Sequence, residues 1–398
     1  MAYYSAGYGY APTSAYNSVQ KLWDKLLHKQ VLDKTFFRGL IGSDKAEGDG
    51  GVQDDISGFP IVTKTDLRKE AGDQITLSLL RQLTTSSRYN AGKTGVKQLV
   101  DAENTLVFHN VKVLIGHMRT GVAIFGKTTV QRSPFDVFKS AKDSISTELA
   151  TLMDDGIFFA LYSGYSFNIF REYGHATAVP AAHGNSVYGK DKSALTSMDT
   201  ADVVDTDMME RLSTAVDENN IPPCRVKGDN AHIFIVHPRG LKTLRADSAW
   251  LDAKAQGMPR SMDNPIFSKA DGKWASIAVM SSNKIDSAKN WAGLTVSSDV
   301  ITLAAATTTP LTATDVRANL LLGANAVARA FGKESYMAQR KEDDYGNLMG
   351  FAGGSVYGDK RTDWVIDDGS GATSPNQSSI LVYSYSPAVN SNLSAIWS

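Results

Sequence analysis

Residues 84–104 are rich in Ser, Thr, Gly, Asn and Lys and have little to bury, yet they lie between two segments that read as strands. Gln74-Ile75-Thr76-Leu77-Ser78-Leu79 alternates, with Ile75, Leu77 and Leu79 on one face and Gln74, Thr76 and Ser78 on the other. The partner strand covers 105–115, with Val107, Val111, Val113 and Ile115 in one row. A polar tongue of that length is uncommon inside a compact domain and usually acts on something outside it. Soon after, Ser133-Pro134 predicts the start of a helix that runs to about Leu161. A serine cap, proline at the first helical position and Asp136 in the first turn mark that start. Phe138, Ala141, Ile145, Leu149, Leu152 and Met153 then form one stripe. An extended arm beside a rigid strut is built to touch neighbours, which points to assembly before catalysis.

Composition narrows the partners. The chain has 398 residues, 42% hydrophobic and 21% charged, which allows two or three cores in an ordinary folded protein. Its formal net charge of -1 lacks the surplus of Lys and Arg that phosphate binding needs, so the chain is no polycationic nucleic-acid binder. Cys224 is the only cysteine, which excludes an internal disulfide and a cysteine-based zinc site within one subunit. Residues 1–18 lack the basic and apolar regions of a signal peptide, and cytosolic synthesis is expected. No run approaches the roughly 18 consecutive apolar residues of a membrane span.

Residues 1–17 are low in complexity, with Tyr3, Tyr4, Tyr8, Tyr10 and Tyr16 spaced by Gly, Ala and Ser. They read either as a frayed terminus or as an arm whose tyrosines dock on another subunit. Ser18 is expected to cap an amphipathic helix that buries Val19, Leu22, Trp23, Leu26, Leu27 and Val31, while Lys21, Asp24, Lys25 and Lys29 face away. Residues 42–57 read as a loop. A second helix is predicted over 206–216, with Met208, Met209, Leu212 and Val216 inward. His232-Ile233-Phe234-Ile235-Val236 is apolar enough for a strand buried on both faces, and 276–280 is another. The Thr- and Ala-rich 303–314 reads as an exposed insertion, 316–331 as a helix or strand-helix junction, and 346–358 as a glycine-rich stretch. Residues 364–366 and 380–385 read as late strands returning to an earlier sheet.

Catalytic patterns fail on inspection. Ala91-Gly92-Lys93-Thr94 ends like a phosphate-binding loop, but Ser87 stands where the first glycine belongs, and no helix is expected after it. Gly164-Tyr165-Ser166 begins like a nucleophile elbow, but Asn168 replaces its closing glycine. None of His28, His109, His117, His175, His183, His232 and His237 forms a helical His-x-x-x-His pair. His232 and His237 flank a strand and read as its polar ends. Asp154 and Asp155 are adjacent on a helix and point about 100° apart, so they do not address one proton. Glu342-Asp343-Asp344 reads as a solvated turn. No catalytic, cofactor-binding or metal residue is assigned, no cofactor is expected, and the chain is not expected to be an enzyme.

A family resemblance runs across 23–368. Its markers begin with Gly72-Asp73-Gln74-Ile75-Thr76, Glu103, Arg119, Gln131-Arg132 and Phe135-Asp136. Asp155, Phe158-Phe159, Leu161 and Gly164 follow, then Val236-His237-Pro238, Leu244 and Trp250. Asp263-Asn264-Pro265-Ile266-Phe267, Gly323-Ala324-Asn325-Ala326 and Asp344-Tyr345-Gly346-Asn347 complete the order. Each motif alone is common; the ordered set resembles the major capsid proteins of tailed bacteriophages, in particular the coliphage N-four-like family.

The resemblance implies an α+β fold of the Hong Kong 97 type, with N-terminal arm, extended β-hairpin loop, long spine helix, peripheral domain and axial domain. On that map 1–60 is the arm with its amphipathic helix, and 61–132 is the extended loop. Residues 133–204 give the spine helix and first part of the peripheral domain, 205–330 mainly the axial domain, and 331–398 the return to the peripheral domain with C-terminal strands. The implied function is a structural virion protein that self-assembles into hexamers and pentamers of an icosahedral head enclosing double-stranded DNA, assembled in the host cytoplasm. The implied partners are other copies of the chain, with scaffolding, portal and decoration proteins, weak non-specific contact with packaged DNA, and no membrane. Related capsids join a lysine to an asparagine; nothing marks Lys93 or Lys97 of the tongue as activated, and no crosslink is expected. The alternatives are an encapsulin-like shell of a cellular compartment and an enzyme with a dispersed active site.

Overall fold

The computed structural model describes residues 13–43, 58–65, 72–80, 108–125, 131–132, 136–164, 168, 186–190, 192–193, 197–219, 221–226, 229–257, 272–285, 294–297, 300–303, 316–339, 348–363, 365–366 and 378–386. One long helix, α2 (Val137–Ser163), organises the chain, because its apolar stripe continues into two different cores. Its first half buries Ile145, Leu149, Ala150 and Met153 against a five-stranded sheet. Its second half buries Ile157, Phe158, Leu161 and Tyr162 against a seven-stranded sheet. At about 1.5 Å per residue the helix is roughly 40 Å long, enough to span both.

The five-stranded sheet has the order β1 (Ile41–Ser43), β2 (Ile61–Lys64), β14 (Val327–Gln339), β15 (Leu348–Arg361), β5 (Gly116–Phe125). Helix α1 (Thr13–Lys34) packs beside α2 on one face, burying Leu27 and Val31. The Lys34 ammonium ties the two helices together by donating to Ser146 Oγ at 2.6 Å and Thr147 Oγ1 at 3.0 Å. On the opposite face sits a small sheet of β3 (Gln74–Leu80), β4 (Phe108–Leu114) and β16 (Val365–Ile366). The predicted alternation holds: Ile75, Leu77, Val111 and Val113 are buried against Val62, Ala328 and Ala330, while Gln74, Thr76 and Lys112 are exposed.

The larger sheet runs β6 (Ser186–Tyr188), β17 (Ser379–Tyr385), β13 (Val316–Leu322), β8 (Asp229–Val236), β10 (Ile277–Ser281), β9 (Gly272–Trp274), with β7 (Cys224–Val226) beside β8. As expected, β8 is buried on both faces: Ile233 and Ile235 meet the end of α2, and Phe234 and Val236 meet the helices. Those helices are α3 (Thr206–Glu218) and α4 (Pro238–Ala246), with α5 (Ser248–Gly257) following. Met208, Met209, Leu212 and Val216 of α3 are all inward, and Asp205 caps it by accepting from Met208 N at 3.1 Å. A hairpin of β11 (Leu294–Ser297) and β12 (Val300–Leu303) precedes residues 304–315, which lie outside the described residues.

Several expectations are corrected. Helix α1 begins at Thr13, so Ser18 lies inside it rather than capping it; after Pro12 no glycine or proline interrupts the helix. Leu26 is 47% exposed instead of buried, and Asp24, expected to face solvent, accepts from Met337 N at 2.9 Å. Gly42 and Ser43 belong to β1 rather than to a loop. Residues 133–135 lie outside the described residues, and Asp136 itself accepts from Lys139 N at 3.2 Å at the head of α2. Residues 316–331 are neither a helix nor a strand-helix junction. They form β13 and the start of β14, joined through Asn325 at φ 59°, a left-handed conformation that asparagine tolerates. The glycine-rich 346–358 stretch supplies most of β15, the longest strand among the described residues.

Candidate functional site

The chemistry of this chain lies in what fixes the tongue and the long helix to the sheets. Arg329 and Asp359 face each other across β14 and β15, both essentially without solvent contact. The guanidinium donates to Asp359 through Nε at 2.6 Å and Nη2 at 3.0 Å, and through Nη2 to Met153 O of α2 at 2.8 Å. It also lies 5.4 Å from the Tyr357 ring centre and 5.9 Å from that of Phe331. Burial opposes its charge, but the Asp359 carboxylate outweighs that and holds the Arg329 pKa above its ordinary value. Gly353 on β15 lets the helix approach closely: a Cβ there would stand 2.5 Å from Ile145 Cγ2.

The far end of α2 is closed by the same strand. Gly164, at φ 77°, takes the left-handed position that ends a helix, and its N–H reaches Ala160 O at 2.8 Å. Arg361 donates to Leu161 O at 3.2 Å and is itself held by Asp363. The residues that resembled a nucleophile elbow thus include a helix terminator in Gly164, and Asn168 is buried, donating to Tyr357 O at 2.9 Å.

The adjacent carboxylates diverge as their spacing implied. Asp154 accepts from Phe36 N at 2.8 Å, at the start of a short 3-10 helix (Phe36–Leu40), whereas Asp155 pairs with Lys284 at 2.7 Å. Burial raises the Asp154 pKa above its ordinary 3.8, against the lowering effects of the Phe36 bond and of Lys284 and Arg329. The folded pKa therefore exceeds the unfolded one. Below pH 3.8 the group is protonated in both states; as pH rises through the folded pKa the fold loses stability. Asp154→Asn is expected to remove that loss while keeping an acceptor for Phe36 N. The difference in unfolding free energy between variant and parent should grow from pH 4 to pH 7; equal free energies at both pH values would refute it.

His232 lies inside β8 with Nε2 at 3.1 Å from Ile221 O, and burial lowers its pKa. His237 caps α4 by accepting from Arg239 N at 3.1 Å. His237 is thus the end of an element, as read from sequence, whereas the reading of His232 as a strand end is corrected, because β8 begins three residues earlier at Asp229. Among the described residues no three His, Cys, Asp or Glu side chains gather as a metal site, and no helix is long and apolar enough to cross a membrane. The tongue at 84–104 with Lys93 and Lys97, the Ala91-Gly92-Lys93-Thr94 motif, His175, His183 and Glu342-Asp343-Asp344 lie outside the described residues.

Its two strands are described, and they form one antiparallel hairpin root from Gln74↔Leu114 to Leu80↔Phe108. That root is seated closely: a Cβ on Gly358 of β15 would fall 1.9 Å from Leu114 O. The hairpin root and the long helix are thus both fixed to one sheet, the helix through a buried ion pair.

Comparison with known proteins gives the class. The model of a family described as phage capsid protein matches residues 13–388, and the chain belongs to that family. Among solved structures it resembles the capsid of Ralstonia phage GP4, with a TM-score of 0.65 at 20% identity, covering 87% of this chain and 97% of that one. It resembles the capsid of cyanophage Pam1, with a TM-score of 0.63 at 19% identity, covering 90% and 94%. The head structure of Helicobacter pylori bacteriophage KHP40 gives 0.60 at 14% identity, covering 89% and 91%. The fold is therefore the Hong Kong 97 type, and the chain is a major capsid protein of a phage head. Comparison with curated protein sequences gives no match.

Proposed function

We propose that copies of this chain assemble into hexameric and pentameric capsomers of an icosahedral head, in the host cytoplasm, around double-stranded DNA. The tongue of each copy lies over its neighbour. The observation that carries this reading is the rigid root of the tongue: β3 and β4 are buried on one face and clamped to the sheet that holds the long helix. A long polar segment on so firm a base has its function outside its own subunit. The role is mechanical, and no catalytic step is assigned to any residue. Scaffolding, portal and decoration proteins are further partners in this reading, and contact with packaged DNA is weak at a net charge of -1.

In this reading 1–60 is the arm, 61–132 the extended loop, 133–204 the spine helix with the first part of the peripheral domain, 205–330 mainly axial, and 331–398 the peripheral return. The five-stranded sheet with α1 and α2 serves as the peripheral layer, and the seven-stranded sheet with α3 and α4 as the axial one. The chain crosses between them more than once: β14 spans position 330, and β17 joins the sheet of β8 and β13.

Removal of the tongue is expected to leave its root in place, because β3 and β4 are held by their own pairing and burial. The last described pair is Leu80↔Phe108, so an Asn-Gly turn in place of 81–107 closes a two-residue hairpin on it. The shortened chain is expected to stay folded, with unchanged far-ultraviolet circular dichroism, and to form no shells by size-exclusion chromatography and electron microscopy. Shells of normal size from the shortened chain would overturn the role given to the tongue.

A further inference from the structure

Charged groups gather on α2 where one core gives way to the other, and they do not balance. Arg329 is committed to Asp359 by two hydrogen bonds and to Met153 O by a third. Lys284, just beyond β10, is committed to Asp155 at 2.7 Å and to Thr151 O at 3.1 Å. Each cation thus has its own carboxylate, and Asp154 is the odd charge. It is only 5% exposed; Oδ2 accepts from Phe36 N, and Oδ1 has no hydrogen-bond partner among the described residues. We propose that the proton on Asp154 sets how firmly the Phe36–Leu40 turn, which joins α1 to β1, is hinged to the long helix. With Asp154 neutral the turn stays seated; with Asp154 ionised it opens and lets water reach the carboxylate.

A carboxylate out of water needs a cation or several donors to hold its charge. The elements around Asp154 offer little of either. From α2 comes Asp155, from β14 Arg329, from β15 Asp359 and the Tyr357 phenol at Leu152 O, and from the segment after β10 Lys284. On the arm side, Lys34 is taken up by Ser146 and Thr147, and Arg38 by Asp33. With every acid ionised, three carboxylates face the two cations Arg329 and Lys284, and a single proton removes the excess. Burial outweighs the pull of Phe36 N, Lys284 and Arg329, so the Asp154 pKa stands above its ordinary 3.8.

Of the walls around this carboxylate, the turn is the one that yields. Helix α2 and strands β14 and β15 are long regular elements, whereas the turn is a five-residue 3-10 helix with Arg38 and Gly39 exposed. Short 3-10 pieces have poorer hydrogen-bond geometry, and local opening draws on such weakly held segments. The turn is held by Phe37 and Leu40 in the core, by the contact of Phe36 with Phe158, and by Asp154. Lys34 keeps α1 on α2 at Ser146, so opening at 36–40 loosens the link from α1 to β1 without freeing the helix. The use of this hinge by an assembling arm rests on the reading above; its response to a proton does not.

Hydrogen exchange on dissociated subunits tests this, read as protection factors so that the intrinsic pH dependence drops out. The Phe36 and Phe37 amides are expected to exchange faster than those of β8, through local opening. Their protection should fall from pH 4 upward by about tenfold per pH unit, because the open form ionises above 3.8 while the closed form does not. The fall levels off once the closed form ionises as well. Asp154→Asn should give the same protection at pH 4 and pH 7. Lys284→Met removes a cation and should carry the fall to higher pH, whereas Asp155→Asn frees Lys284 for Asp154 and should cut the fall short. Protection equal to that of β8, a fall that survives Asp154→Asn, or a range unmoved by the Lys284 and Asp155 variants would overturn the inference and leave the shell reading standing. Subunits that form no shells under any condition would overturn the reading of the arm and leave the exchange result intact.

Discussion

Arg329→Met is expected to destabilise the folded subunit by about 3–5 kcal/mol, because it strands the Asp359 carboxylate in a site with no water to solvate it. The guanidinium makes three hydrogen bonds from a fully buried position, two to Asp359 and one to Met153 O on the long helix. Removing it therefore also frees a helix carbonyl and loosens the join between α2 and the sheet. The double variant Arg329→Met/Asp359→Leu removes both charges together and is expected to recover most of the loss, since well-packed apolar pairs often match buried ion pairs. Urea denaturation of dissociated subunits measures both. A loss below about 1 kcal/mol for the single variant would mean that water or another group reaches Asp359.

Gly358→Ala is the second large effect. The added Cβ would meet Leu114 O at 1.9 Å, Leu114 C at 2.9 Å and Ile115 Cα at 3.3 Å, all backbone atoms that no side-chain rotation can move aside. Overpacking of this kind costs about 1–3 kcal/mol and sometimes more. The strain falls on the last residue of β4, so the tongue root must shift on its sheet. Shell yield is accordingly expected to fall further than subunit stability alone would dictate. Gly39→Ala serves as the control, because nothing lies within 4 Å of its Cβ position, and it should assemble normally. Equal shell yields from the two variants would show that the close seat of the root is unimportant.

What sequence could reveal here depended on periodicity. The alternation of Ile75 and Leu77, the stripe of Ile145, Leu149 and Met153, and the inward face of α3 each repeat at the spacing of their element, and the structure keeps all three. Strand β15 escaped because its signal is inverted. Glycines at 350, 353, 354 and 358 weaken strand propensity, yet close approach of the helix or of Leu114 demands small residues at Gly353 and Gly358. The 316–331 segment misled for a related reason: Ala and Leu favour helices when read alone, but strand pairing on both sides of β13 overrides that preference. The ion pair was invisible because Arg329 and Asp359 are 30 residues apart, and only the β14–β15 register makes them partners. Asp24 and Leu26 were misplaced because the side of α1 that meets β14 is set by its neighbours, not by its own hydrophobicity.

Because a single helix serves both hydrophobic cores, melting of either half is expected to weaken the other. Losing the contacts of Ile145 and Leu149 removes the support beneath Phe158 and Leu161, and the reverse holds equally. A capsid built from such subunits distributes a load on one lattice contact through the whole tile. In such a shell, resistance to load is expected to draw on the cooperativity of each tile as well as on the contacts between tiles.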